Sequence, residues 1–408
     1  LGFIFISILG VGAVSYFVFT NNIKLPSDQG NSLITDVKEK VQETINTEPK
    51  KYFNPITGVE LSEEVYKDIT TNRPIAIQIN NHLDARPQTG ISKADVVYEA
   101  VAESGITRLN AVYISSIPEK VGPVRSMRVY FQQLIAEYNP ISVHWGIAHS
   151  PDYEKNLAPK EFEALMAKGQ AETDPRADAR AYIDRISLPT LDQTVGEIGN
   201  IPNLFYRENL PVSLEHTAFV KAQNVYDAFS TVYPEKEWKK YQEIKMWDFA
   251  DKEIVQNTEQ AVNTLSYNFW DFIGFDTNWE YDTSSNTFLR SQGGLKTVDR
   301  STDSQVGISN VIIQKTNEIK TNDLKAHLLY DIIGNGEATF LVGGNLIKGT
   351  WKKKDVKKRT VYKDLEGNNI KFNRGNFWVV ILPDYSDYTS DYIESFNKKD
   401  IEENPQDN

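Results

Sequence analysis

The hydrophobic pattern of this chain changes its period near Asn263, and this change constrains the fold more than any other feature. Before that point, strand-like apolar runs alternate with stretches of helical spacing, as in helices packed on a sheet. After it the period is two, and short runs are bounded by Gly and Asn, which is typical of antiparallel strands. We predict a mixed fold (α+β or α/β), with an α/β domain at residues 52–235 and a mainly antiparallel β domain, a sandwich or open barrel, at 236–385.

The same patterns predict individual elements. In the first domain they are strands at Arg73–Asn80, Asp95–Val101, Ile106–Ser115 and Ile141–Gly146, and helices at Val124–Tyr138 and Glu161–Lys168. In the second domain they are hairpins at Phe340–Trp351 and Val361–Phe372, and strands at Tyr267–Phe269, Trp279–Tyr281, Asn310–Gln314 and Phe377–Leu382.

The first twenty residues, Leu1 to Thr20, are uncharged and almost all apolar. At about 1.5 Å of rise per residue, such a helix spans a hydrocarbon core of about 30 Å. We therefore expect a single, uncleaved transmembrane helix that anchors the protein in the cell membrane, with the bulk of the chain extracytoplasmic. The alternative is a signal peptide cleaved near Ala13 or Ser15. Residues 21–51 are predicted to form a polar stalk, and residues 386–408 an acidic tail.

Composition excludes several classes of protein. The sequence has no cysteine, which rules out disulfides, thiolate metal sites and a cysteine nucleophile. The net charge of −12 disfavours a nucleic-acid-binding protein, which would carry a basic surface for phosphate contacts. Neither a GxGxxG nor a GxxxxGK[ST] loop is present, so we predict no nucleotide and no other cofactor.

Arginine and histidine are concentrated between residues 73 and 149. This window holds five of the 13 arginines and three of the five histidines, but only two of the 31 lysines. The planar arginine fork suits carboxylate and phosphate groups, whereas lysine is a hydrated point charge. The window therefore predicts a polar site for an anionic ligand. The candidate ligand-binding residues are Asn81, Arg86, Glu99, Glu103, Arg108, Arg125, Arg128, His149, Arg207 and His216.

Arg125 and Arg128 have two interpretations. At the start of the predicted Val124–Tyr138 helix they would project from one face, where backbone N–H groups and the helix dipole also favour an anion. Alternatively, they form ion pairs with Glu99 and Glu103. The window contains seven basic and six acidic side chains, so internal pairing is a serious rival to ligand binding.

His82 and His144 are the candidate catalytic residues, since histidine titrates near neutral pH and serves as a general base. His82 also lies among turn-forming residues, and His144 on a predicted buried strand, so purely structural roles stay open. No histidine pair has HExxH-type spacing, and we predict no metal site. A GxSxG nucleophile elbow is absent as well.

A series of motifs in both halves resembles the YerB-like family of bacterial envelope proteins, whose function is unknown and which are often lipoproteins. The first half contributes Asn54-Pro-Ile-Thr-Gly58, Arg73-Pro-Ile-Ala76, Asn81-His82, Ala85-Arg-Pro-Gln88, Gly105-Ile-Thr-Arg108, Val121-Gly-Pro-Val-Arg-Ser126, Arg128, His144 and Gly146. The second half contributes Tyr281-Asp282, Leu289-Arg290, Val298-Asp299, Asn310-Val-Ile-Ile313, Gly334 to Gly336 and Gly349-Thr-Trp351. The resemblance implies a protein exposed outside the cytoplasmic membrane.

Three departures from that family matter. There is no cysteine to carry a lipid, so anchoring is expected from Leu1 to Thr20. Asn80 stands where the family tends to have an acid, which weakens metal binding or acid catalysis there. The family's Gly-Gly-Ser after the histidine is replaced by Gly146-Ile-Ala-His-Ser150, which can reshape a pocket at that loop.

Two functions follow from the sequence. The first is a membrane-anchored binding or scaffold protein that holds an anionic envelope group, such as a cell-wall glycan or peptidoglycan fragment. The second is an envelope hydrolase or transferase with His82 or His144 as general base. In that enzyme, Arg108, Arg125 and Arg128 would stabilise a developing oxyanion.

Overall fold

A computed structural model of the chain describes residues 50–194, 201, 203–234 and 243–392. The predicted membrane anchor, nearly all of the predicted stalk and the last part of the predicted tail lie outside these residues. Within them, every helix is too short or too polar to span a bilayer. The described residues from Tyr52 onward belong to one compact unit.

The helices are short. In chain order the α-helices are α1 (Glu63–Ile69), α2 (Val129–Ile135), α3 (Asp152–Lys155), α4 (Pro159–Ala167), α5 (Ala179–Ile186) and α6 (Val225–Val232). Single 3-10 turns lie at Leu83–Ala85, Ile91–Lys93, Ala136–Tyr138, Pro175–Ala177, Leu214–His216, Ala222–Asn224 and Ile273–Phe275.

Strands dominate the second half of the chain. The first nine are β1 (Tyr52–Phe53), β2 (Glu60–Leu61), β3 (Ile75–Asn80), β4 (Val96–Glu103), β5 (Ile106–Tyr113), β6 (Ile141–His144), β7 (Thr190–Asp192), β8 (Phe205–Arg207) and β9 (Ala218–Val220). The next eight are β10 (Thr264–Tyr267), β11 (Thr277–Asp282), β12 (Thr287–Gln292), β13 (Leu295–Lys296), β14 (Val298–Asp299), β15 (Ser304–Gln305), β16 (Gly307–Ile308) and β17 (Asn310–Thr316). The last seven are β18 (Glu318–Lys320), β19 (Leu328–Tyr330), β20 (Gly334–Val342), β21 (Asn345–Lys353), β22 (Val361–Asp364), β23 (Phe377–Pro383) and β24 (Tyr388–Ser390).

One ten-stranded mixed sheet unites the two halves of the sequence, in the order β22-β21-β20-β17-β23-β4-β5-β3-β6-β7. The junction is β23, which pairs in parallel with β17 on one side and with β4 on the other. All residues of β23 are buried, as expected for a central strand covered on both faces. The strands of the second half therefore extend the sheet of the first half.

A second sheet covers part of this one. Its order is β13-β12-β11-β10-β24, and β16 also pairs with β12. Trp279 of β11 and Trp378 of β23 meet edge to face, with ring centroids 5.6 Å apart, so the two sheets share a core. The predicted mixed α/β first half and mainly antiparallel second half are confirmed. Tyr388–Ser390, which the sequence assigned to the acidic tail, is a strand paired with β10.

The predicted helix at Val124–Tyr138 is wrong over its first five residues. Residues 124–128 are extended, and the α-helix is confined to α2, followed by the 3-10 turn at Ala136–Tyr138. The Arg125 N–H donates to the Gln78 carbonyl at 3.0 Å, and Val124 forms an antiparallel bridge with Ile79. Pairing with β3 thus overrides the helical spacing. Arg125 and Arg128 therefore do not project together from a helix N-terminus.

The predicted hairpin at Val361–Phe372 forms only in part. Its first strand is β22, but the return is limited to an isolated bridge between Lys363 and Asn369. The Phe340–Trp351 hairpin is confirmed as β20 and β21, which turn at Gly343 and Gly344.

Candidate functional site

Glu99 lies fully buried in the middle of β4 and is held by residues of the second half. The Arg290 guanidinium donates from Nη2 to both carboxylate oxygens, at 2.9 and 2.8 Å. The Trp378 indole N–H donates to the same carboxylate at 3.0 Å, and the Gln292 amide does so at 3.0 Å. A charge buried this deeply requires such partners. Glu99, which is fully enclosed, therefore ties the two halves together.

Asn81 and Arg86, also predicted to bind ligand, extend this network. The Asn81 amide donates to Thr107 Oγ1 at 2.6 Å and to Gln292 Oε1 at 2.9 Å. Arg86 donates to the Asn81 and Gly274 carbonyls, each at 3.0 Å. Burial, followed by the charge of Arg290, lowers the pKa of Arg86 to about 10. Both side chains are occupied by contacts within the protein.

Glu103 lies at the end of β4 between two arginines. Arg108 donates to its Oε1 at 2.5 Å, and Arg128 donates to its Oε2 at 2.7 Å. Although burial raises the pKa of Glu103, the charges of Arg108 and Arg128 outweigh it and bring the pKa to about 2. Arg108 also donates to the Ser126 carbonyl at 2.5 Å and is buried. Ion pairing, the alternative interpretation of the arginines, is therefore realised around Glu103.

Arg128 nevertheless opens onto a pocket, which we call the Arg128 pocket. It measures about 350 Å³ and is lined by Glu103, Ser126, Arg128, Ile147, Ala148, His149, Pro151, Glu172, Thr173, Lys325 and His327. The Arg128 side chain is 10% exposed. Its Nη1 donates to the Met127 carbonyl at 3.1 Å, while its Nε, sealed from solvent, has no partner among the described residues. Nη1 and Nη2 each make one hydrogen bond to the protein and each carry a second N–H, so the guanidinium keeps spare donor capacity beside an open space.

The charges of the Arg128 pocket are balanced. Among its lining residues, Arg128 is matched by Glu103, and Lys325 lies 3.8 Å from Glu172. The two cations and two carboxylates of the lining therefore leave it without net charge. A pocket without surplus positive charge suits a single carboxylate better than a doubly charged phosphate. His149, from the predicted set, is exposed at its edge.

His327 was not among the residues predicted from the sequence, although it lines the Arg128 pocket. Its Nδ1 lies 3.0 Å from Oδ2 of Asp323, whose side chain is fully buried. Burial raises the pKa of Asp323, but hydrogen bonds from His327 and from the Asp174 N–H lower it to about 2. An ionised carboxylate only accepts, so Nδ1 of His327 carries a hydrogen, and in the neutral ring the lone pair lies on Nε2.

His82 and His216 form a separate surface cluster. Their rings stack with centroids 4.5 Å apart and planes 11° apart. Asn80 donates to Nδ1 of His216 at 2.8 Å, in an orientation fixed because its Oδ1 accepts from the His82 N–H at 2.9 Å. Nδ1 of His82 accepts from the Asp84 N–H at 3.2 Å. Burial and the neighbouring His82 lower the pKa of His216.

This cluster is the group of described residues best placed for a metal by proximity alone. One potential ligand atom from each of His82, Asp84 and His216 lies within 4.8 Å of the others. A metal-bound histidine normally donates from its other nitrogen to an acceptor. Here both Nδ1 atoms accept, so both Nε2 atoms carry the hydrogen, and parallel rings do not converge on one point. The residues therefore fit a metal poorly.

The remaining predicted residues lie apart. Arg125 donates to Glu215 Oε2 at 2.7 Å, on the side of the His82 cluster. Arg207 lies over the Trp145 ring, 4.4 Å from its centroid. His144 is fully buried, with Nδ1 2.8 Å from the Gly146 carbonyl and Nε2 2.9 Å from Thr190 Oγ1. Burial lowers the pKa of His144, and neither nitrogen is free to act as a base.

Comparisons with known proteins agree over most of the chain. Residues 56–234 match "Protein of unknown function (DUF3048) N-terminal domain", and residues 267–379 match the DUF3048 C-terminal domain. A protein of Bacillus subtilis (strain 168) described as "Putative lipoprotein YerB" is 30% identical over 344 residues, which cover 82% of this chain and 87% of that protein. The crystal structure of YerB from Bacillus subtilis matches with a TM-score of 0.61 at 27% identity, over 83% of this chain and all of that one. The chain therefore belongs to the DUF3048 family of proteins of unknown function.

Proposed function

We propose that this chain is an extracytoplasmic envelope protein whose Arg128 pocket binds a carboxylate-bearing ligand, such as a peptidoglycan fragment. The observation that carries the proposal is the Arg128 guanidinium, which is nine-tenths buried yet lines an open pocket, with a second N–H left on Nη1 and on Nη2. Hydrogen bonds from a partly desolvated guanidinium to a carboxylate are among the strong ones in proteins. Lys325, 3.8 Å from Glu172, lines the same pocket.

The envelope location is supported by the similarity to YerB, which is described as a lipoprotein. The anchor in our proposal is a membrane-spanning segment. The apolar segment Leu1 to Thr20 has the length and composition of a single-pass anchor. The described residues would then lie outside the cytoplasmic membrane.

The other arginines of the predicted window are less suitable for ligand binding. Arg86 and Arg108 donate hydrogen bonds to atoms of the protein and are largely enclosed. Arg125 is paired with Glu215 outside the Arg128 pocket. This difference supplies a matched control, because Arg125 and Arg128 belong to the same extended segment.

The proposal is tested with Arg128→Ala and Arg125→Ala, each measured for co-sedimentation with purified peptidoglycan. Loss of charge-assisted hydrogen bonds costs about 1.5–3 kcal/mol, so Arg128→Ala should weaken binding about 10- to 100-fold. Arg125→Ala should bind like the wild type. In Arg128→Ala, Glu103 still has Arg108 at 2.5 Å. The Glu103 charge is therefore not left unpaired, and the fold should persist. Undiminished binding by a folded Arg128→Ala protein would rule out the pocket.

A further inference from the structure

We infer that His327 and Asp323 form an acid–base pair with which the Arg128 pocket hydrolyses an amide or ester bond of its carboxylate-bearing ligand. This inference rests on the proposed function, since the ligand must first bind at Arg128. It assigns the catalytic base to a histidine outside the arginine-rich window. The juxtaposition that supports it is an imidazole oriented by a buried carboxylate at the wall of a pocket that also contains Arg128 and Lys325.

One ring nitrogen of His327 is hydrogen-bonded within the protein, and the other is not. Nδ1 donates to Asp323 Oδ2 at 3.0 Å, which selects the tautomer with a lone pair on Nε2. Among the described residues, Nε2 receives no hydrogen bond. The His327 side chain is 7% exposed, and it is part of the pocket lining. A water or substrate in the Arg128 pocket is therefore the partner available to Nε2.

Asp323 is itself held firmly. Its Oδ2 accepts from the Asp174 N–H at 2.7 Å, and its Oδ1 accepts from the His327 N–H at 3.1 Å. The short loop that carries both residues is docked on the first half of the chain. Leu324 donates to the Ala171 carbonyl at 2.8 Å, and the Asn322 amide donates to the Met166 carbonyl at 2.8 Å. A carboxylate that orients an imidazole in this way is the arrangement that general-base catalysis uses.

The two histidines proposed from the sequence as catalytic lack this arrangement. His144 has both nitrogens bonded and no access to a pocket. His82 accepts a backbone N–H at Nδ1, and the carboxylate of Asp84 is 3.7 Å away, beyond hydrogen-bond distance. The predicted role of general base therefore fits His327 better than either residue singled out from the sequence.

The reaction balances with water as the only co-reactant. Nε2 of His327 takes a proton from water while the water oxygen forms a bond to the substrate carbonyl carbon, and the carbonyl π pair moves onto oxygen. The ammonium of Lys325 offers a charge near this oxyanion, while Arg128 holds the carboxylate. When the electron pair on the oxyanion re-forms the carbonyl double bond, the bond to the leaving nitrogen or oxygen breaks. The leaving atom receives the proton from Nε2. Ser126 donates to the Trp145 carbonyl at 3.3 Å, so water, not Ser126, is the nucleophile.

Three nitrophenyl probes test the inference on the full chain. They are mono-4-nitrophenyl succinate, which carries a carboxylate, 4-nitrophenyl acetate, which does not, and 4-nitrophenyl phosphate. The carboxylate of the succinate ester also promotes its spontaneous hydrolysis, so rates are corrected for release without protein. We expect the protein-dependent turnover of the succinate ester to exceed that of the acetate. His327→Gln should lower it by about 100-fold or more, as removal of a general base does. His82→Gln, the control for adventitious surface catalysis, should retain wild-type turnover.

Binding and turnover separate this inference from the proposed function. His327→Gln should still co-sediment with peptidoglycan, whereas Arg128→Ala should lose both binding and succinate-ester turnover. Absence of turnover of all three probes by a wild-type protein that binds peptidoglycan overturns the inference alone. Wild-type turnover in His327→Gln, or hydrolysis of only the phosphate ester, overturns it as well. Unchanged binding in Arg128→Ala overturns the proposed function.

Discussion

At the scale of single residues, two buried carboxylates are matched by cations from distant parts of the chain. Glu99 meets Arg290, and Glu137 meets Lys353 at 2.6 Å and Arg359. Removing one member of such a pair is costly because the other charge stays buried without compensation. Replacing both members by neutral groups costs much less. The Glu99 pair is the clearest case, because it joins the two halves of the sequence.

Arg290→Met should therefore lower the free energy of unfolding by about 3–5 kcal/mol, because it leaves the Glu99 carboxylate buried without its cation. The measurement is urea denaturation followed by tryptophan fluorescence. Arg185→Met is the control, since Arg185 is exposed and only stacks on Tyr182, and its loss should cost about 0.5–1 kcal/mol.

A second variant checks the cause. Adding Glu99→Gln to Arg290→Met removes the uncompensated charge, so the double variant should be more stable than Arg290→Met alone. The alternative outcome is a double variant whose free energy of unfolding falls by the sum of the losses in Glu99→Gln and Arg290→Met. That result would show that the Glu99 charge is not what makes Arg290 necessary.

The sequence identifies one side of such a pair but not the other. Glu99 stands out because it interrupts an apolar run that becomes a central strand. Arg290 carries a weaker signal, since it alternates with Phe288 and Gln292 on the buried face of β12. The two residues, 191 positions apart, pair because the sheet that carries β12 packs on the sheet that carries β4. No local pattern encodes this pairing.

At the scale of elements, the segment before α2 shows why helical spacing misleads. Apolar positions at Val124 and Met127 fit the helical period, yet they lie in an extended segment that bonds to β3 and to Gly146. Tertiary pairing decides the conformation there, because extended neighbours satisfy the backbone groups that a helix would satisfy internally. The consequence for the site is direct, since it places Ser126 and Arg128 in the Arg128 pocket and Arg125 outside it.

Gly146, which follows β6, provides a prediction at this scale. It adopts φ +90°, and an added Cβ would lie 2.5 Å from the Ser126 hydroxyl. Gly146→Ala should therefore destabilise the protein by about 2–3 kcal/mol, through backbone strain and displacement of Ser126. Gly367 also has φ +90° but has open space around the added Cβ, so Gly367→Ala should cost only about 1 kcal/mol. Thermal unfolding monitored by circular dichroism gives both values.

The clash itself is tested by combining Gly146→Ala with Ser126→Ala. Without the hydroxyl, the nearest remaining side-chain atom of residue 126 is 3.3 Å from the added Cβ, a contact that small shifts relieve. The loss of stability in the double variant should then fall to about that of Gly367→Ala. If it stays as unstable as Gly146→Ala, contact with Ser126 is not the source of the loss.

At the scale of the whole molecule, the Arg128 pocket is assembled from both halves. Glu103, Arg128 and His149 come from the first half, while Lys325 and His327 come from a loop of the second half. The sequence window of arginine and histidine therefore located one wall of the pocket. The other wall, with the pair of His327 and Asp323, became visible only through the docking of the loop that carries both residues on residues 166–174.

The sheet shared by the two halves leads to a prediction about folding. Separate fragments of residues 50–242 and 243–392 would each lose the junction of β4 and β23, exposing buried strand edges. The first would retain the Glu99 carboxylate without Arg290, and the second would retain Arg290 without Glu99. We expect neither fragment alone to show a cooperative thermal transition, whereas the intact chain should unfold in one transition by calorimetry.

Mixing the two fragments should restore a transition, because the sheet and the Glu99 ion pair can form only when both are present. Adding Arg290→Met to the second fragment should prevent this recovery, which separates specific docking from general aggregation of exposed strands. A sharp, reversible transition in the 50–242 fragment by itself would mean that β4 is stable as an unpaired edge. The shared sheet would then be a docking of two independent domains, each folding on its own, and loss of the Arg128 pocket would not require unfolding of either one.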